Sequence, residues 1–176
     1  MKSLLATTIL CLCALTCAAQ TKPADAPKDW LDQWQTATKQ LFDVAEAMPA
    51  DKYGYKPVKE VDEFGEQIKH TIIAMKILLA NAQGEKLDGP KVFAELSKLK
   101  TKDEILAEFR KTVDAGTAVF NKIAGKNDGE VVESQFFGKT TRRFLLMQAI
   151  AHNNNHYGQL TVHLRLNGIT PPASRR

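Results

Sequence analysis

The chain has 176 residues with 24 Lys and Arg against 20 Asp and Glu, a formal net charge of +4, and three cysteines. That length suits one domain able to bury a single core without staples. The small positive excess comes without a dense basic block interleaved with aromatics. Arg142-Arg143, Lys98-Lys100-Lys102 and Arg175-Arg176 read as solvated faces or a tail, which argues against a nucleic-acid partner.

The chain opens Met1-Lys2, runs through an apolar segment from Leu4 to Leu15, and reaches Cys17-Ala18-Ala19 before Gln20. This order of charge, apolar run and small residues predicts a signal peptide over residues 1–19, cut after Ala19. The apolar run is too short for a comfortable membrane span, and no later segment is long enough for one. The expected product is exported, periplasmic or secreted. A lipid anchor at Cys17 is the alternative, but Ala14-Leu15-Thr16 puts the leucine one place too late for such a site. Since Cys11, Cys13 and Cys17 all lie in this segment, the processed chain has no thiol or disulfide chemistry.

Residues 20–28 read as a flexible lead. A first helix is predicted from about Asp29 to Met48, with Trp30, Trp34, Leu41, Ala45 and Met48 on one stripe. The tryptophans suit the core, or a dimer face. Pro49 ends the helix, and Asp51 to Pro57 has turn chemistry. A second helix, from Val61 or Asp62 to Ala82, carries Phe64, Ile68, Ile72, Met75 and Leu79 inward and His70 toward the edge of that face. Glu66, one turn before His70, is either a supporting acid or an exposed one.

Gly84, Gly89 and Pro90 break the pattern, with a short helical turn expected over Lys91 to Leu99. Thr101-Lys102-Asp103-Glu104 has the form of a capping box and opens a third long helix to Ile123, with Ile105, Phe109, Thr112, Val113, Gly116, Val119 and Phe120 as its stripe. Val131 to Phe137 reads as extended. The last long helix is expected from Thr140 to Asn167, closed by Gly168 and Pro171-Pro172, with 171–176 as a tail. Four long amphipathic segments make an all-α fold, an antiparallel four-helix bundle over residues 29–170.

That last helix holds three of the four histidines. At about 100° per residue, His152 and His156 lie about 40° apart, one turn above the other, where two imidazoles can close on one ion. Gln148, Gln159 and His163 fall within about 80° of the same direction. With Phe144, Leu145 and Leu166 on that side, the polar stripe is expected to look inward and line a pocket. Buried imidazoles and amides need hydrogen bonds or a ligand. Spacing by itself leaves a metal site and a hydrogen-bonded core pair both open.

The run His152 to Leu160, followed by Leu164-Arg165-Leu166-Asn167-Gly168-Ile169-Thr170-Pro171-Pro172, resembles the C-terminal signature of the DinB superfamily, which includes the YfiT-like metal-dependent hydrolases. Phe64 to His70 resembles that family's second-helix motif, and Tyr53-Gly54-Tyr55-Lys56-Pro57 its first connecting loop. The resemblance implies a bundle in which His70, His152 and His156 bind a divalent metal. Three neutral imidazoles suit zinc or nickel and leave a position for water. His163, about 10 Å beyond His156 by helical rise, is expected to line the pocket or sit in the core.

The expected function is hydrolysis of an unknown small molecule through metal-bound water, with Glu66 as the one candidate base or supporting acid. The alternative is an exported module that binds a metal or small molecule without turnover. Some relatives resemble thiol transferases, but export removes a chain from cytosolic thiol pools. Asn153 stands where zincin proteases carry glutamate, which argues against that class. The resemblance also suggests a homodimer.

Overall fold

The computed structural model describes residues 26–175. The segment expected to be a signal peptide, its cysteines and the lead up to residue 25 lie outside the described residues. The order is α1 (Ala26–Ala47), a 3₁₀ turn (Ala50–Lys52), α2 (Phe64–Ala82), α3 (Gly89–Leu96), α4 (Lys102–Ile123), β1 (Val131–Ser134), β2 (Gly138–Thr141), α5 (Arg142–Leu166) and a 3₁₀ turn (Pro172–Ser174). The fold is mostly helical: four long helices and one short one. The all-α expectation holds as a mostly helical fold to which one hairpin is added, β1 and β2 pairing antiparallel from Val131 opposite Thr141 to Ser134 opposite Gly138.

The apolar stripes do what their spacing demands. Trp34, Leu41 and Ala45 from α1 and Met48 just after it are buried, as are Phe64, Ile68, Ile72, Met75 and Leu79 from α2, and Ile105, Phe109, Val119 and Phe120 from α4. Trp34 lies wholly inside the chain, which removes it as a dimer face. Helix α5 packs on α2 and α1, and α4 packs on the same two helices. Among the described residues no helix is long and apolar enough to cross a membrane.

Local chemistry sets the element ends. The Thr101 hydroxyl accepts from the Glu104 N–H, and the Glu104 carboxylate accepts from the Thr101 N–H, so the capping box forms. The N–H groups of Thr101 and Lys100, both donating to it, hold the Glu104 carboxyl below its ordinary range. Helix α2 starts later than its sequence suggests. The N–H groups of Phe64 and Gly65 donate to Tyr55 O and Tyr53 O, so the preceding loop folds back over the helix start. A Cβ on Gly65 would lie 3.1 Å from the Tyr53 ring, which is why the loop comes this close. Gly89 and Pro90 open α3 instead of breaking a helix: Asp88 caps Lys91 N, and proline suits a first turn, where its missing N–H costs nothing.

Asn81, fully buried near the end of α2, fixes the hairpin. Its Oδ1 accepts from Ser134 Oγ (3.1 Å) and Gln135 N (2.9 Å), and its Nδ2 donates to Gln135 Oε1 (3.0 Å) and Glu85 O (3.0 Å). At the other end, Arg143 Nε donates to Asp128 Oδ2 (2.7 Å) and Arg142 Nη1 to Ala82 O (2.7 Å). The start of α5 is thereby tied to the end of α2. These are the two helices that carry the histidines.

Candidate metal centre

His70 projects from the middle of α2 at the edge of its buried face, and α5 presents His152 and His156 one turn apart. Helix packing brings the three rings together. Nε2 of His70 lies 3.2 Å from Nε2 of His152. Ring centroids stand 5.1 Å apart for His70 and His152, 4.9 Å for His70 and His156, and 4.5 Å for His152 and His156. One nitrogen from each ring falls within 4.8 Å of the other two. Two ligands bound at about 2.0–2.1 Å in tetrahedral geometry stand about 3.3–3.4 Å apart, so the shortest separation here is that of a site ready for one ion.

Burial favours the neutral form of the two α5 donors. It pushes His152 down to about 4, with His156 and His70 adding repulsion against a second charge, and it lowers His156, again with help from His70. A neutral ring offers a lone pair, which a divalent cation needs. Nδ1 of His152 and Nδ1 of His156 are both buried without a hydrogen-bond partner. No carboxylate or carbonyl among the described residues holds those two atoms, although metal-binding histidines commonly have such support. The donor set fits a divalent metal, and its outer support is sparse.

The depressed values fix the sign of a pH effect on metal-free protein. Between about pH 4 and 6.5 the unfolded chain binds more protons at His152 than the folded chain does. Stability is therefore fully present above 6.5 and is lost as pH falls toward 4. Partial exposure of the ring limits the change to on the order of 1–2 kcal/mol. Urea unfolding in chelator at pH 7 and pH 5 should show the midpoint drop, and the drop should shrink in His152→Ala.

The single inward stripe is corrected. Leu145, Leu146, Ala149, Asn153, Leu160 and Leu164 form the buried line of α5, about 80° round the helix from the centre of the stripe. Phe144 and Leu166 are exposed. The histidines consequently sit at the border of the core, where α2 meets α5. Gln159 is exposed and bonds Asn155 on its own helix (3.2 Å), so it does not look inward. Gln148 stays beside His152. His163 is buried away from the triad: its Nε2 is 3.2 Å from Gln67 Nε2, and its ring meets Tyr55 edge-on at 5.9 Å. Glu66 is exposed and paired with Lys69 Nζ at 2.5 Å, in a cleft that it shares with His70.

Two features had no signal in the helical spacing. Lys69 is buried despite its charge, held by Glu66 and by Leu99 O at 3.4 Å. Phe136 and Phe137, at the hairpin turn, border the same pocket as His70 and His152.

The model of the DinB family matches residues 21–175, which includes all three histidines and both helices that present them. The chain belongs to the DinB family. Solved structures agree with this DinB fold. A DinB-like protein from Bacillus cereus aligns with a TM-score of 0.67 at 20% identity, covering 82% of this chain and 95% of its own. A DinB-like protein from Bacillus subtilis gives 0.64 at 20% identity, covering 81% and 93%. The colibactin self-resistance protein ClbS, solved in complex with double-stranded DNA, gives 0.62 at 11% identity, covering 82% and 98%. No curated protein matches the chain. At these identities the structural likeness speaks to fold alone.

Proposed function

We propose that this DinB-family chain is an exported, antiparallel four-helix-bundle protein that holds zinc or nickel through His70, His152 and His156 and hydrolyses a small molecule there. The observation that carries the reading is the convergence of three ring nitrogens from two helices within 4.8 Å. A divalent ion held by them supplies Lewis acidity and makes water acidic enough to ionise near neutral pH. The protein's own part is to present His152 and His156 as neutral donors, to hold α2 against α5, and to leave the site open on the His70 side, where the residue is exposed.

The ligand is a small molecule and not nucleic acid. The clefts at the triad are lined by Asp62 and Glu66 on one side and by Phe136 and Phe137 on the other. Lys69 in the first cleft is paired with Glu66 and the second has no Lys or Arg in its lining, so neither offers the free positive charge that holds a phosphate backbone. A second reading, metal or ligand binding without turnover, is favoured by the Glu66–Lys69 ion pair and by the two unpartnered Nδ1 atoms, since the site then lacks a free base.

Metal analysis by mass spectrometry on untagged protein should find about one equivalent of ion per chain, and Glu66→Gln should retain it. A panel of esters and amides then separates the readings. Activity in the wild type that drops at least tenfold in Glu66→Gln supports hydrolysis with that carboxylate as the base. No turnover by a loaded protein leaves the binding role, and absence of metal from wild type overturns both.

A further inference from the structure

His70 stands between two clefts of unlike chemistry. Toward α3 it shares a cleft with Asp62, Glu66, Lys69 and Ser97. Toward the hairpin, His70 and His152 border a pocket of 220 Å³ whose other walls include Ile73, Ile77, Phe136 and Phe137, with Gln148 as an uncharged polar group. The two phenylalanines are 64% and 45% exposed. Phe137 is braced edge-on by Phe144 at 5.1 Å. Their turn is held by Asn81, whose bonds to Ser134 and Gln135 fix the backbone that carries them.

Aromatic rings kept in water by a pinned turn, beside imidazoles ready for an ion, make a rigid apolar receptor with a polar end. We propose that this pocket takes the apolar arm, a straight alkyl or aryl group, of a molecule whose polar head reaches the histidine site. The volume fits an arm of about seven non-hydrogen atoms at roughly 30 Å³ each. The head-group half rests on the metal-site reading above; the arm half does not.

Straight-chain hydroxamates test both halves, because the head group is constant and metal-binding while the tail grows. Calorimetric titration of zinc-loaded protein should show affinity rising about fourfold per methylene from acetohydroxamate toward heptanohydroxamate, then levelling as the pocket fills. Phe137→Ser, a change at an exposed position, should flatten the series and leave zinc content unchanged. Hexanol has no metal-binding head and probes the pocket in metal-free protein: it should shift the methyl NMR signals of Ile73 and Ile77, and fail to do so in Phe137→Ser.

A flat series on protein carrying one zinc, with silent methyl groups, overturns the pocket assignment and leaves the metal site standing. Protein that takes up no zinc but responds to hexanol overturns the head-group half and the metal-site reading with it. Sedimentation of both proteins covers the remaining occupant of the patch. If Phe137→Ser turns a dimer into a monomer and hexanol moves nothing, the aromatic patch is a copy-to-copy interface and the proposal is wrong.

Discussion

Replacing His152 with alanine should lower zinc affinity by more than the roughly 100-fold that loss of a merely supporting residue costs, because it removes one of three donors. His152 makes the shortest approach in the triad, its Nε2 lying 3.2 Å from that of His70, and its centroid is 4.5 Å from that of His156. Without it His70 and His156 remain, 4.9 Å apart by ring centroid, a two-donor set in place of three. Competition with a chromophoric chelator reads the affinity directly. Thermal unfolding gives a second reading, since an ion bound only by the folded state raises stability by RT ln(1 + [L]/Kd). With free zinc at 100 times the wild-type Kd that gain is about 2.7 kcal/mol for wild type, and it should nearly vanish in the variant. In excess chelator the two proteins should unfold within about 1 kcal/mol of each other, because the lost ring has an unpartnered Nδ1 whose burial is itself a cost. A variant that keeps wild-type zinc affinity sinks the three-histidine site.

The contrast between α2 and α5 shows how much of this was legible in the amino-acid sequence. In α2 every residue of the expected stripe, Phe64 through Leu79, is buried, because apolar side chains at helical spacing have only one way to leave water. Helix α5 gives a weaker pattern. Its buried line includes Asn153, wholly inside and donating to Met75 Sδ at 3.3 Å, while Met147, Val162 and Leu166 stand exposed. Polar residues in the core and apolar ones outside blur the period, so the stripe was placed about 80° from the true buried line. The pair His152 and His156 survives this error because their relative placement depends only on spacing of four, and not on which way the helix faces. The meeting with His70 was reached through family resemblance; the described geometry places their nitrogens together.

The hairpin was legible only in half. Val131 to Phe137, β-branched and aromatic, reads as extended, and its first four residues are β1; the partner Gly138 to Thr141 looks like a helix entry, with Thr141 indeed capping Phe144 N. Gly138 has φ +61, the left-handed conformation that lets the chain reverse into β2. What holds the turn is Asn81, more than fifty positions earlier in the chain. No local pattern encodes that bond, so the role of Phe136 and Phe137 was out of reach.

Trp34→Ala should give the largest loss of stability, about 3–5 kcal/mol, against a total of about 5–15 kcal/mol for a domain. Trp34 is fully buried, stacked on Phe120 with centroids 5.0 Å apart, and its Nε1–H donates to Thr117 Oγ1 at 3.1 Å. The hydrogen bond is the smaller part, because the Thr117 hydroxyl keeps its bond to Val113 O at 3.0 Å. Most of the cost is the cavity, and Gly116 provides a control for that cause. A Cβ at Gly116 would lie 2.3 Å from Trp34 Cζ2 and 2.9 Å from Leu79 Cδ1. Gly116→Ala alone should therefore destabilise by about 1–3 kcal/mol through overpacking, despite a gain of about 1 kcal/mol in helix propensity. Placed in Trp34→Ala, the same methyl loses its closest clash and leaves only the flexible end of Leu79 to turn into the vacated space, and the sign should reverse. Urea unfolding of the four proteins measures this cycle, and additive effects would refute the packing account. The aromatic cluster joins α1 to α4, whereas the histidines sit on α2 and α5. Hence Trp34→Ala, under conditions where it is still folded, should bind zinc as the wild type does, while His152→Ala keeps its fold and loses the ion. Opposite losses in the two variants are what a metal site built at the border of an independently stable core requires.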